Sequence, residues 1–137
     1  MDWSRPRCPR PPIPIDVWKS PTCGCCDDWI RHLEQNGFKV ASYDTGNNGI
    51  RQQLGMPRRY GSCHTARVGD YVIEGHVPAA DIHRLLTRAP VARGLAVPGM
   101  PIGSPGMDGP AYQGRQDPYD VLLVGADGSA SVFAAHR

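Results

Sequence analysis

Cys23, Cys25 and Cys26 fall within four residues, at the point where an extended stretch gives way to a helical one. The run reads Lys19-Ser20-Pro21-Thr22-Cys23-Gly24-Cys25-Cys26-Asp27-Asp28-Trp29-Ile30. Before it, Ile13, Ile15 and Val17 alternate with Pro14 and Asp16, the period of a strand. After it, Cys26, Trp29, Ile30 and Leu33 make one stripe of an amphipathic helix. A helix N-terminus exposes unpaired N–H groups and carries partial positive charge. Both stabilise a thiolate, so cysteines placed there are expected to ionise readily. Thiolates bind soft metals and attack disulfides. Packing alone is a poor explanation for three thiols at one strand-to-helix turn.

The remaining pattern sets the fold around that turn. Asn36-Gly37 stops the first helix, and Phe38 to Tyr43 alternates as a second strand. Asn47 to Leu54 reads as a short helix, capped by Asn47 or Asn48 and ended by Gly55 and Pro57. Two short β-prone runs between Ser62 and Gly75 surround Gly69-Asp70 and predict a hairpin. Pro78 fits the first turn of a third helix, with Ile82, Leu85 and Leu86 as its apolar stripe and Pro90 as its stop. Leu95 to Met107 reads as a loop rich in glycine and proline. A second hairpin follows: Asp120 to Val124, a turn at Asp127-Gly128, then Ser131 to Ala134. Strand, helix, strand, helix, hairpin, helix is the order of a thioredoxin-like domain. The expected fold is therefore α/β and thioredoxin-like, a mixed sheet flanked by helices with an additional C-terminal hairpin. Its first two strands should be parallel.

In that fold a redox Cys-x-x-Cys sits after the first strand, and Cys23 and Cys26 have its spacing and place. Cys25 is an additional thiol inside the motif. The start of the hairpin's first strand lies beside the motif and normally carries a cis-proline. Here Cys63 stands there, so a fourth thiol is expected to face the other three. Four thiols can close one metal site. The fifth cysteine, Cys8, lies in the N-terminal tail.

The Leu95 to Met107 loop contains Pro-Gly-Met twice, ending at Met100 and Met107. A thioether is a soft ligand suited to Cu(I), so both are candidate ligands. The alternative is that they pack onto the domain. His64 is a ligand, a hydrogen-bond donor to one, or the outward neighbour of Cys63; strand alternation favours the last. His76 lies within reach of the site. His32 and His83 read as surface helix residues. Asp27 and Asp28 suit the positive end of a helix. No carboxylate pair, serine triad, phosphate loop or dinucleotide motif stands out.

Charge excludes further classes. The formal net charge is +2, and residues 1–12, with Arg5, Arg7 and Arg10 against Asp2, account for it. The neutral remainder, residues 13–137, reads as a single domain without a nucleic-acid surface. The basic, proline-rich tail over 1–12 is expected to be disordered or extended. No apolar run reaches membrane-spanning length, and the arginine- and proline-rich start lacks the apolar core of an export signal.

Four motifs in order then carry a resemblance: Ser20-Pro21-Thr22-Cys23-Gly24-Cys25-Cys26, Ser62-Cys63-His64-Thr65-Ala66, Gly75-His76-Val77-Pro78-Ala79 and Gly94-Leu95-Ala96-Val97-Pro98-Gly99-Met100-Pro101. Together they resemble a bacterial family of metal-binding domains of the CopG copper-resistance type, from about Ile13 to about Ala135. The resemblance implies a thioredoxin-like fold, a periplasmic setting, and several Cu(I) ions held by cysteine thiolates in a multinuclear cluster. The family's cysteine positions match Cys23, Cys25, Cys26 and Cys63. The expected partners are copper ions and the proteins that deliver or export them. A thiol–disulfide oxidoreductase using Cys23 and Cys26 is the second reading. The two combine if copper redox chemistry occurs at the thiols. A structural zinc site is the third, disfavoured because three ligands in four residues are cramped for a tetrahedron.

Overall fold

The computed structural model describes residues 11–136. The tail expected over 1–12 therefore lies, apart from Pro11 and Pro12, outside the described residues, as does Cys8.

Seven strands form one mixed sheet in the order β2-β1-β3-β4-β5-β6-β7. β1 (Ile13–Lys19) leads through the cysteine turn into α1 (Gly24–Glu34), which returns to β2 (Phe38–Tyr43). β2 pairs parallel with β1. α2 (Asn48–Leu54) and a 3-10 turn at Arg58–Tyr60 follow. The chain then enters β3 (His64–Val68), antiparallel to β1, and doubles back as β4 (Tyr71–Glu74). α3 (Ala79–Arg88) crosses to β5 (Gly94–Ala96), which is parallel to β4. The hairpin of β6 (Tyr119–Val124) and β7 (Ala130–His136) completes the sheet.

Apolar residues cover both faces of the central strands. Trp29 and Leu33 of α1 and Ile82 and Leu85 of α3 pack with Ile15, Val17, Ile73, Leu95 and Val121. On the other side Val72, Ala96 and Val124 meet Met56, Leu54 and Tyr60. Adjacent residues in β4 (Val72, Ile73) and β5 (Leu95, Ala96) thus point into opposite layers, as strand alternation requires. Strands covered on both faces read as near-continuous apolar runs.

Two boundaries differ from expectation. The stretch from Leu95 is not loop from its start. Gly94–Ala96 form β5, which joins the C-terminal hairpin to the rest of the sheet. Three residues give too short a pattern for a period to show, and the prolines and glycines after them dominate the reading. The hairpin's first strand begins at His64, so Cys63 lies just outside it. Pro78 flanks α3 at its N-cap position, and Ala89, in the left-handed conformation, ends the helix before Pro90.

Candidate metal centre

The site forms where three segments meet: the N-terminus of α1, the entry to β3, and the loop after β5. Lys19, the last residue of β1, is buried and fixes the first of these. Its ammonium contacts the carboxylates of Asp44 at 2.6 Å and Asp27 at 3.1 Å, tying α1's first turn to the sheet. The hydrogen bond to Asp44 raises the Lys19 pKa against the opposing effect of burial. Cys23 is the N-cap residue, with extended backbone, and the helix begins at Gly24.

The sulfur atoms of Cys23, Cys25, Cys26 and Cys63 all lie within 4.8 Å of one another. Cys23 and Cys26 are joined in a disulfide, while Cys25 and Cys63 are free thiols. Cys25 Sγ is 3.4 Å from Cys23 Sγ. Cys26 is fully buried and the other three are partly exposed, so the cluster opens to solvent on the Cys23 and Cys25 side.

Two histidines complete the group, and one of them overturns an expectation. His64 does not face away from Cys63. It is fully buried, stacked on the Trp29 ring at 4.1 Å between centroids. Its Nδ1 lies 3.3 Å from both Cys63 Sγ and Cys26 Sγ. Strand alternation does not separate the two side chains, because Cys63 precedes β3 and is not bound by the strand's period. His76 Nε2 stands 3.1 Å from Cys63 Sγ.

Each imidazole has its tautomer set by a backbone carbonyl. His64 Nε2 donates to Gly75 O at 2.8 Å, and His76 Nδ1 donates to Pro105 O at 2.6 Å. A carbonyl only accepts, so the other nitrogen of each ring offers its lone pair to the thiols. This is the arrangement that orients metal-binding histidines. Burial, helped by the neighbouring His76, pushes the His64 pKa down to about 3. Burial also lowers His76. Both rings are therefore neutral at pH 7 and can coordinate.

Burial and the nearby Cys25 thiol push Cys63 up to about 12. The easy ionisation expected at a helix N-terminus thus does not extend to Cys63, which lies at no helix end. Metal binding there must displace a proton.

The loop after β5 covers the cluster. Met100 Sδ is 3.9 Å from Cys25 Sγ, and Met100 is half exposed. Met107 Sδ accepts from the Tyr112 hydroxyl at 3.4 Å. Gly106 packs against the site so closely that a Cβ there would come within 2.6 Å of Cys25 O and 2.9 Å of His76 Nδ1. His32 and His83 are partly buried: His32 Nε2 accepts from the Ala79 N–H, and the His83 ring lies tilted against Phe38 and donates to Asn36 O. Arg51 and Glu74 form a buried pair close to Cys63 that the sequence does not announce. No local signal marks it, since the partners stand on separate elements.

No helix among the described residues is long and apolar enough to cross a membrane. A family of proteins of unknown function, DUF411, matches residues 60–107, a span that includes Cys63, His64, His76, Met100 and Met107. No curated protein matches the chain. Two solved structures, described as copper resistance protein CopG in Forms 1 and 2, are each 48% identical to it with TM-scores of 0.84. The match covers 91% of this chain and 98% of the first, and 92% and 99% for the second. With the cysteine turn and the histidine-bearing segments inside that match, the chain belongs to the CopG family of copper resistance proteins.

Proposed function

We propose that the chain binds copper in metal homeostasis or resistance, holding several Cu(I) ions as cargo in one thiolate-bridged cluster. The observation that carries this reading is the convergence of four cysteine sulfurs within 4.8 Å, with imidazole lone pairs turned toward them. Thiolate, thioether and imidazole are soft or borderline donors, which suit Cu(I). Sulfur can bridge two ions, so four clustered thiolates favour several coppers over one.

Cys25, Cys63, His64, His76 and Met100 are available with the disulfide in place. Cys23 and Cys26 join after a dithiol reductant gives the disulfide two electrons and two protons and is itself oxidised to a disulfide, and the thiols release their protons as copper binds. Met100 adds a donor without adding negative charge to a crowded cluster. Met107 is the second thioether, and its sulfur accepts from the Tyr112 hydroxyl. Partly exposed Cys23 and Cys25 give a delivery or efflux protein access to the ions.

The β1–α1–β2 unit, the β3–β4 hairpin and α3 support reading the core as thioredoxin-like. A periplasmic setting agrees with a Cys23–Cys26 disulfide, because disulfides persist in oxidising compartments. Cell fractionation tests that placement.

A second reading, thiol–disulfide oxidoreductase, is favoured by the same disulfide. A substrate thiolate would attack Cys23, the partly exposed member, and Cys26 would leave as a thiolate. A second substrate thiolate would then release Cys23, so the substrate dithiol loses two electrons and the protein disulfide gains them. Against it, Cys63 stands where the thioredoxin-like fold normally carries a proline, and Cys25 and Cys63 are two thiols more than the redox pair needs. The two readings combine if two Cu(I) ions supply the two electrons and become Cu(II).

The test is metal analysis of the reduced chain, loaded without oxygen with Cu(I) or with Zn(II). The copper reading expects more than one Cu(I) per chain and at most one zinc. Tight uptake of one zinc with little copper would show a structural zinc site instead.

A further inference from the structure

Beside the cysteines, Ser62 is held through its N–H, its carbonyl and its hydroxyl. The N–H of Ser62 donates to Glu74 Oε2 at 2.7 Å. The carbonyl of Ser62 accepts from Arg51 Nη2 at 2.9 Å and from Asn47 Nδ2 at 3.1 Å. The Ser62 hydroxyl donates to Gly99 O at 2.6 Å, one residue before Met100. The next residue after Ser62 is Cys63.

Two buried charges organise this clamp. Glu74, at the end of β4, is fully buried, and Arg51, on α2, nearly so. Arg51 Nε donates to Glu74 Oε2 at 3.0 Å, and Arg51 Nη1 to Asn48 Oδ1 at 3.0 Å. The other Glu74 oxygen accepts from Thr65 Oγ1 at 2.6 Å. A buried ion pair is weak evidence of stability, because desolvation offsets its attraction. Here the planar guanidinium does what a point charge cannot: it bonds the carboxylate and the Ser62 carbonyl at once. Space is tight as well. A Cβ at Gly75, whose φ is +80, would clash with Val97 O and approach the Ser62 side chain within 2.9 Å.

We infer that Arg51 and Glu74 are positioning residues that act through Ser62 to aim the Cys63 sulfur into the cluster and to anchor the loop carrying Met100. The inference rests on the copper reading for its effect on metal, but not for its effect on Cys63. Loss of the fork frees the Ser62 carbonyl on one side. Cys63 then swings away from His64 and His76 and becomes more open to solvent. Groups that orient metal ligands in this way are worth about tenfold or more in metal affinity.

The test compares wild type with R51K, which keeps the charge opposite Glu74 and loses the fork, and with E74Q. Folding is checked by circular dichroism, and R51K decides if E74Q does not fold. Two quantities are read: Cu(I) affinity against a chelator in the reduced chain, and iodoacetamide labelling of Cys63 and Cys25 in the metal-free, oxidised chain. The expected result is about tenfold weaker Cu(I) binding with Cys63 labelled several-fold faster and Cys25 unchanged. Wild-type values for both quantities would overturn the inference. So would either change without the other, or equal acceleration at Cys25. A wild-type chain that takes up no Cu(I) would instead refute the copper reading, and Cys63 labelling alone would then decide whether Arg51 and Glu74 position it.

Discussion

At Cys63 a thiol, two imidazoles and a disulfide sulfur share one small space, and the protons there are placed by the backbone. Because Pro105 O holds the Nδ1 proton of His76, Nε2 is free for metal. His76→Ala removes both the lone pair and the contact to the loop, so Cu(I) competition should weaken by about ten- to a hundredfold. Met100 permits a cleaner separation of coordination from packing. It is half exposed, so Met100→Leu should change apo stability by less than about 0.5 kcal/mol. Leucine cannot coordinate, so Cu(I) affinity or exchange should change instead. Unchanged chelator competition by Met100→Leu would make Met100 a covering residue only. The cysteines were legible in the sequence because their spacing at a strand-to-helix turn admits few explanations. His64 was not, because Cys63 stands just before β3, where strand alternation no longer separates the two side chains.

The element that closes the site is the loop between β5 and β6. Its course depends on Gly106, which has φ +92 and lies against Cys25 O and His76. Gly106→Ala adds left-handed backbone strain and a clash, together costing on the order of 1–3 kcal/mol. Moving the loop away relieves part of that cost, so the variant should expose Cys25. Its labelling rate should rise, and Met100 should lose its place beside the thiol. Wild-type labelling with a lowered melting temperature would show strain absorbed elsewhere. The loop's glycines and prolines were plain in the sequence, but β5 was not: three residues carry no readable period. The Arg51–Glu74 pair was also hidden, because 23 residues separate its partners and burial alone brings them together.

Across the whole molecule, stability and metal binding share the same buried groups. His64 titrates near 6.5 in the unfolded chain and near 3 when folded, so the unfolded state takes up the proton first. Stability from this group is therefore present above about pH 6.5 and is lost as pH falls toward 3, at up to about 1.4 kcal/mol per pH unit. Denaturant melts of the metal-free chain between pH 7 and 4 should show that slope, reduced in a folded His64→Gln variant. Copper uptake runs the same way, since Cys63 must give up a proton to bind. The alternating strands and the helix after the cysteines made much of the α/β order readable, while the closing of one seven-stranded sheet depends on long-range pairing that no local pattern encodes. Whether the four thiols act as one copper site is read from the Cu(I) stoichiometry of reduced wild type beside Cys25→Ser and Cys63→Ser. Wild type should take up more than one Cu(I) per chain and each variant should lose most binding; full loading of either variant would show that the four thiols are not one site.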